Sequence, residues 1–214
     1  LVANGVQVFL LARGEAALRG TASSLGELAT ALVCDVSDAA AVPRVCAEIT
    51  SMLNGNAPDV LVNNAGLFEV AALDVMAVAD FSRTIDVNLV APFRLLRSFL
   101  PLMRARGSGH VVTIGSVADR AIYPGNGAYS ASKFGQRAMH EVLQAETRGS
   151  GIRSTLVCPA ATDTPIWDVI DPDNTPGFPP RASMLRAADV ADAVWWAVSR
   201  PPHVNVDEVR LSAS

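Results

Sequence analysis

Tyr129-Ser130-Ala131-Ser132-Lys133 follows the apolar run Val111-Val112-Thr113-Ile114-Gly115, which ends at Ser116, thirteen positions before Tyr129. Tyr129 and Lys133 are four apart, so on a helix they share one face about one turn from each other. A free phenol titrates at about 10, and a nearby ammonium favours the phenolate and lowers that value. Such a tyrosine trades a proton with an alcohol or carbonyl oxygen near neutral pH. The run ending at Ser116 reads as a buried strand. Its hydroxyl then sits at a strand's carboxyl end, where open α/β sheets place their ligands. The chain has sixteen arginines and a single lysine, Lys133. A compact ammonium that donates to several partners is what a planar guanidinium does not reproduce. A tyrosine and a lysine four apart on a solvated helix are common in isolation; the motifs below weigh against that reading here.

A length of 214 residues fits one domain with a sizeable core. Half the residues are hydrophobic and 18% are charged, so the chain is globular rather than disordered. A net charge of −4 gives no support for nucleic-acid or anionic-membrane binding. No apolar run approaches the length of a bilayer span. Cys34, Cys46 and Cys158 are widely separated and odd in number, and His110, His140 and His203 form no ligand pattern. The cysteines read as buried free thiols in a reducing, cytoplasmic setting, and neither set reads as a metal site.

Apolar, β-branched runs at Val6–Ala12, Ala31–Cys34, Asp59–Asn63, Val111–Ser116, Arg153–Cys158 and Glu208–Leu211 read as strands. Helices are expected over Glu15–Ser24, Ala39–Leu53 (capped by Ser37 or Asp38), Asn126–Thr147 and Ala188–Ser199. A long helical region covers Val75–Arg106, with irregularities expected at Pro92 and Pro101. Strands alternating with helices imply a parallel sheet covered on both faces: a doubly wound, three-layered α/β domain spanning residues 1–214. Pro165–Met184 carries five prolines and reads as a mobile flap.

Ser116, Tyr129 and Lys133 at this spacing resemble the catalytic set of the short-chain dehydrogenase/reductase family, and further motifs fall in that family's order. The resemblance implies a Rossmann-like fold, with Tyr129 as general acid/base. It also implies that Lys133 holds the nicotinamide ribose and that Ser116 positions the reacting oxygen. Asn88, in Asp86-Val87-Asn88-Leu89, takes the place of an asparagine that holds a water on a proton path from the lysine. Asn63-Asn64-Ala65-Gly66 closes a strand, where asparagine amides need partners. By resemblance Asn64, Ala65 and Gly66 line the cofactor's ribose. At the end of the Val6–Ala12 strand Ala12 stands where NAD-selective folds carry an acid, and Arg13 follows, which resembles a site for the 2′-phosphate of NADP(H). An arginine on a solvated loop is the bland alternative. Asp35 and Val36 are expected at the adenine, although an aspartate after a strand is usually a turn residue. Pro159-Ala160-Ala161-Thr162-Asp163-Thr164 resembles the family's Pro-Gly motif, with Ala160 where glycine is usual. Pro159, Ala160, Thr162 and Thr164 would then meet the nicotinamide. Asp119 also occupies a glycine position. Ile122, Tyr123, Trp167 and Phe178 either line an apolar substrate cavity or pack a flap.

The family opens with a strand and a Thr-Gly-x-x-x-Gly-x-Gly turn, to which nothing here corresponds. In the expected 3-2-1-4-5-6-7 order that strand is central, between the Val6–Ala12 and Asp59–Asn63 strands, so the expectation is an N-terminally truncated chain. The implied activity is hydride transfer between NADP(H) and a carbonyl or secondary alcohol, with a 3-oxoacyl reductase as one example. Homodimers or homotetramers are the family's habit. The alternative is a non-catalytic relic or binding module of the same fold.

Overall fold

The computed structural model describes residues 1–214. Its strands are β1 (Val8–Ala12), β2 (Ala29–Val33), β3 (Val60–Asn63), β4 (Gly109–Ile114), β5 (Ile152–Pro159), β6 (Thr162–Asp163), β7 (Leu185–Arg186) and β8 (Glu208–Leu211). The helices are α1 (Glu15–Leu25), α2 (Ala41–Met52), α3 (Val78–Ile85), α4 (Ala91–Arg106), α5 (Gly127–Thr147) and α6 (Ala187–Val198). All strand pairs are parallel, as crossovers through helices require. Side chains alternate across β4, so Val111 joins a large core with α2, α4 and α5, while Val112 packs with Val157 and α6. The result is a doubly wound α/β arrangement with helices on both faces.

The sheet is divided. β1 and β2 pair with each other, and β3-β4-β5-β8 form a separate sheet. No ladder joins β1 to β3, and a cavity of about 2310 Å³ lies between them. Asn63 at the end of β3 is 4% exposed, and neither atom of its amide finds a partner. What holds the two sheets together is side-chain packing: Leu32 and Cys34 share one core with Leu61, Phe99 and Val111. Arg94 of α4 adds a tether, donating to the Ser37 carbonyl at 3.0 Å.

Several boundaries move for local reasons. β1 starts at Val8, whose N–H donates across to the Leu28 carbonyl at 2.7 Å, whereas the Val6 N–H turns back to the Leu1 carbonyl at 3.3 Å. Neither Ser37 nor Asp38 caps α2, which begins behind Ala40 without a side-chain cap. Asp38 instead accepts the Ala40 N–H at 2.8 Å, folding the loop one step ahead of the helix. The irregularity in the long helical region falls at a π-helical turn, Asp86–Val90, just before Pro92. Pro92 has no N–H to offer the Asn88 carbonyl four residues back, so an α-helical bond there is impossible. Pro101 lies within α4. The Pro165–Met184 flap is tied down at its ends by the β6–β7 pair and by Arg181. That arginine bonds both Asp163 and Asp168 at 2.6 Å.

Candidate active site

The site forms where β3, β4 and β5 end and α5 begins. Gly115 lets β4 run close to β5, since a Cβ there would meet Cys158 and Leu156 at 3.1 Å. Ser116 then starts a short 3-10 turn, Val117–Asp119, and its Oγ accepts the Ala118 N–H at 3.1 Å. With the oxygen committed as acceptor, the hydroxyl hydrogen is free to donate. Tyr129 and Lys133 lie one turn apart on α5, and with Ser116 they face the same cavity.

Lys133 is 5% exposed and donates to the Ile114 carbonyl at 2.9 Å and to Gln136 Oε1 at 3.0 Å. Burial brings its ammonium down to about 8, against weaker support from Cys158 and Asp119. The phenol does not follow the sequence-based expectation. Burial holds Tyr129 above its ordinary value, Ser116 pulls it down, and Asp119 pushes it further up. Lys133 does not lower it here, because its Nζ is turned to backbone and amide oxygens, 5.7 Å from the ring centroid. A phenol beside a serine hydroxyl can exchange a proton with an oxygen placed in the cavity.

Asn88 is fully buried in the π-helical turn. Its side chain reads the Leu67 backbone like a strand partner, accepting from the N–H at 2.7 Å and donating to the carbonyl at 2.9 Å. It also donates to Ser132 Oγ at 3.0 Å. Gly135 permits this closeness, because a Cβ there would meet Leu89 at 2.9 Å. The visible link from Asn88 to Lys133 is a side chain that sequence reasoning missed. Gln136 Nε2 donates to the Asn88 carbonyl at 3.0 Å, while Gln136 Oε1 accepts from Lys133. A glutamine three positions after the lysine, on the same helix face, was the available signal.

The remaining candidates divide between the two sheets. Asn64, Ala65, Gly66, Pro159, Ala160, Thr162 and Thr164 line the same cavity as Ser116, Tyr129 and Lys133. Ala160 is not among the residues with positive φ, so the chain tolerates alanine at that glycine position. Val36 lines the cavity too, whereas Arg13 and Asp35 stand beyond it at the ends of β1 and β2. Arg13 Nη1 and Asp35 Oδ2 are 4.0 Å apart. Hydrogen bonds from Ser37 hold the Asp35 carboxyl below its usual value, with a smaller push from Arg13. Asp119 is absent from the cavity wall. It is fully buried behind Ser116, accepting from the Cys158 thiol at 3.2 Å, with Arg210 at 3.8 Å. Ile122 is 80% exposed and lines nothing, while Tyr123, Trp167 and Phe178 do line the cavity. They are joined there by Phe68, which the sequence reading passed over. No cluster of His, Cys, Asp and Glu is placed to hold a metal, and no helix is long and apolar enough to cross a membrane.

The residues suit a nicotinamide dinucleotide at its two ends. An ammonium, a phenol and small residues surround the nicotinamide side, and the guanidinium of Arg13 suits a 2′-phosphate on the adenosine side. For the pyrophosphate, residues 1–214 offer no glycine-rich turn; Val2–Asn4 form a 3-10 turn closed by Gly5 in the left-handed region.

Comparison with known proteins gives the family. Over 217 residues the chain is 34% identical to glycine betaine reductase ATRR of Emericella nidulans, covering 99% of this chain and 17% of that protein. It is 34% identical over 186 residues to the sepiapterin reductase of Chlorobaculum tepidum, covering 87% of this chain and 73% of the relative. An alcohol dehydrogenase of Thermococcus sibiricus, solved with 5-hydroxy-NADP, superposes with a TM-score of 0.86 at 27% identity. That match covers 99% of this chain and 88% of the other. The short chain dehydrogenase family model matches residues 1–175, and the chain belongs to that family of oxidoreductases.

Proposed function

We propose that this protein is an NADP(H)-dependent oxidoreductase acting on a carbonyl or secondary alcohol. The observation that carries this is geometric: Ser116 at the end of β4 and Tyr129 and Lys133 one turn apart on α5 face one cavity. When bound, the dinucleotide supplies or accepts the hydride. Ser116 donates to the substrate oxygen and orients it. Tyr129 gives that oxygen its proton as negative charge builds there. Lys133 stays fixed by Ile114 and Gln136, with its one remaining N–H available to the ribose. Asn88 and Gln136 hold the lysine's helix against the turn after β3. Arg13 supports the choice of NADP(H) over NAD(H), as does the cofactor derivative in the Thermococcus sibiricus structure.

The substrates named for relatives, and the 3-oxoacyl thioesters that the family resemblance brings, are arms of the test. NADPH oxidation is followed with simple ketones, a 3-oxoacyl thioester and no substrate. Tyr129→Phe and Lys133→Arg are each expected to lose turnover by orders of magnitude while keeping the native circular dichroism. Near-normal turnover in either removes the mechanism. NADPH binding without turnover of any carbonyl favours a non-catalytic binding module instead.

A further inference from the structure

Given the proposed reaction, we infer that the substrate is an uncharged carbonyl compound bearing an aromatic group, seated on a wall made by Phe68, Trp167 and Phe178. The wall starts at the reacting phenol. Phe68, just after β3, meets the Tyr129 ring edge-on with centroids 4.7 Å apart and planes at 67°. Trp167 of the flap meets Phe68 in the same way at 5.0 Å and 66°. Phe178 continues the row, 6.0 Å from Trp167 at 72°. Two separate chain segments thus build one edge-to-face series leading from Tyr129 into the cavity they all line. Such a surface offers ring faces and edges to another ring, a geometry that favours aromatic partners beyond their apolar area.

The polar groups around this wall are already used. Trp167 donates its Nε1–H to the Thr162 carbonyl at 3.1 Å, so its polar edge serves the protein. Lys133 is the one charged residue of the cavity at the catalytic end, and it is committed to Ile114 and Gln136. The other charged wall residues, Asp59 and Arg106, stand at the opposite end of β3, where they pair at 3.1 Å. Arg181, the flap's nearby cation, is held by Asp163, Asp168 and the Thr164 carbonyl. A carboxylate or phosphate set against this wall exchanges water for apolar rings and finds no cation among them, which is unfavourable.

Three ketones separate the elements of this inference: acetophenone, 2-octanone with the same carbon count and no ring, and 4-acetylbenzoate with a ring and a charge. With NADPH, kcat/KM is expected to favour acetophenone over 2-octanone by about fivefold. The preference over 4-acetylbenzoate should be about a hundredfold or more. In Phe68→Leu, which keeps an apolar side chain without the ring, the ratio of acetophenone to 2-octanone should fall toward one. Equal use of 4-acetylbenzoate, or an unchanged ratio in Phe68→Leu, overturns the inference. A second measurement is independent of turnover: quenching of tryptophan fluorescence by the same ketones, with Trp167→Phe identifying the Trp167 signal. If no ketone is reduced but acetophenone quenches Trp167 at far lower concentration than 4-acetylbenzoate, the reaction reading fails and the binding preference stands. If both quench alike, the preference fails whatever the turnover.

Discussion

β4 and β5 are hydrogen-bonded along both edges, whereas β1 and β3 each keep an unpaired edge on the cavity between the two sheets. The chemistry is mounted on the paired sheet. Ser116 leaves β4, Pro159 ends β5, and Lys133 hangs from the β4 carbonyl of Ile114. Arg13 and Asp35, which would choose the cofactor, stand on the two-stranded sheet. That sheet is joined to the rest by packing and a few side-chain tethers. Hydrogen-bond ladders fix relative position more tightly than apolar side chains alone. On the proposed function, proton transfer, which fails over small displacements, has the more rigid mounting, and Arg13 has the looser one.

The sharpest expression of this difference is amide exchange. Val8, Leu10 and Ala12 turn their N–H groups to β2, so by alternation those of Phe9 and Leu11 face the open edge. Residues Val111–Thr113 and Leu156–Val157 lie inside the four-stranded sheet. Their slowest amides should exchange about a thousandfold or more slower than Phe9 and Leu11, the span between local opening and global unfolding. Exchange measured by mass spectrometry or NMR tests this, and equal protection would mean that the two sheets behave as one.

Acid should erode the paired sheet's advantage. His110 and His140 are about 1% exposed and bonded to Thr155 and Thr113 at 2.8 and 2.9 Å. Burial brings each imidazole down to about 4. A depressed histidine contributes stability that is complete above its unfolded pKa of about 6.5 and is lost as pH falls toward the folded value. Each is therefore expected to withdraw up to about 3 kcal/mol between about pH 6.5 and 4. Urea midpoints across that range should fall, and His140→Gln should flatten the dependence.

Much of this contrast was legible in the sequence. The apolar runs located every strand of both main sheets. Ser116, Tyr129 and Lys133 could be read because spacing on a helix and position at a strand end are local properties. Gln136 and Phe68 escaped because their partners, Asn88 and Trp167, lie far away in sequence and meet only when the chain folds. The Tyr129 phenol was misjudged because a four-residue spacing tells how near a charge is, not where its hydrogens point. The π-helical turn was signalled by Pro92, yet its distortion lands on Asn88, four residues earlier.

The looser sheet can be probed through its cation. If Arg13 meets a 2′-phosphate, Arg13→Ala loses a charge-assisted contact of about 1.5–3 kcal/mol. That corresponds to a preference for NADPH over NADH reduced roughly tenfold to a hundredfold. Steady-state kinetics with both cofactors should show the change almost wholly in the NADPH arm, and unchanged discrimination would leave Arg13 a surface residue.

The smallest expected effect lies deepest in the paired sheet. Asp119 is fully buried, with one oxygen accepting from the Cys158 thiol and the other lacking a hydrogen bond, Arg210 being 3.8 Å away. Arg210 is also shared with Glu208, which Arg120 grips through both carboxylate oxygens at 2.6 and 2.8 Å, so the carboxylate of Asp119 is only partly neutralised. Its field reaches the site from behind Ser116. After burial, which dominates, it adds to the rise of the Tyr129 phenol, and it opposes the fall of the Lys133 ammonium. Asp119→Asn keeps an acceptor for Cys158 and removes the charge, so both groups should lose protons at lower pH than before. Alcohol oxidation, which needs the phenolate, should then gain its activity at lower pH, and carbonyl reduction, which needs the phenol, should lose its activity at lower pH. Parallel pH profiles of kcat/KM in the two directions read this shift with little change at the optimum. A profile that stays in place while the melting temperature drops would mean that Asp119 serves the packing of β5 and β8 alone.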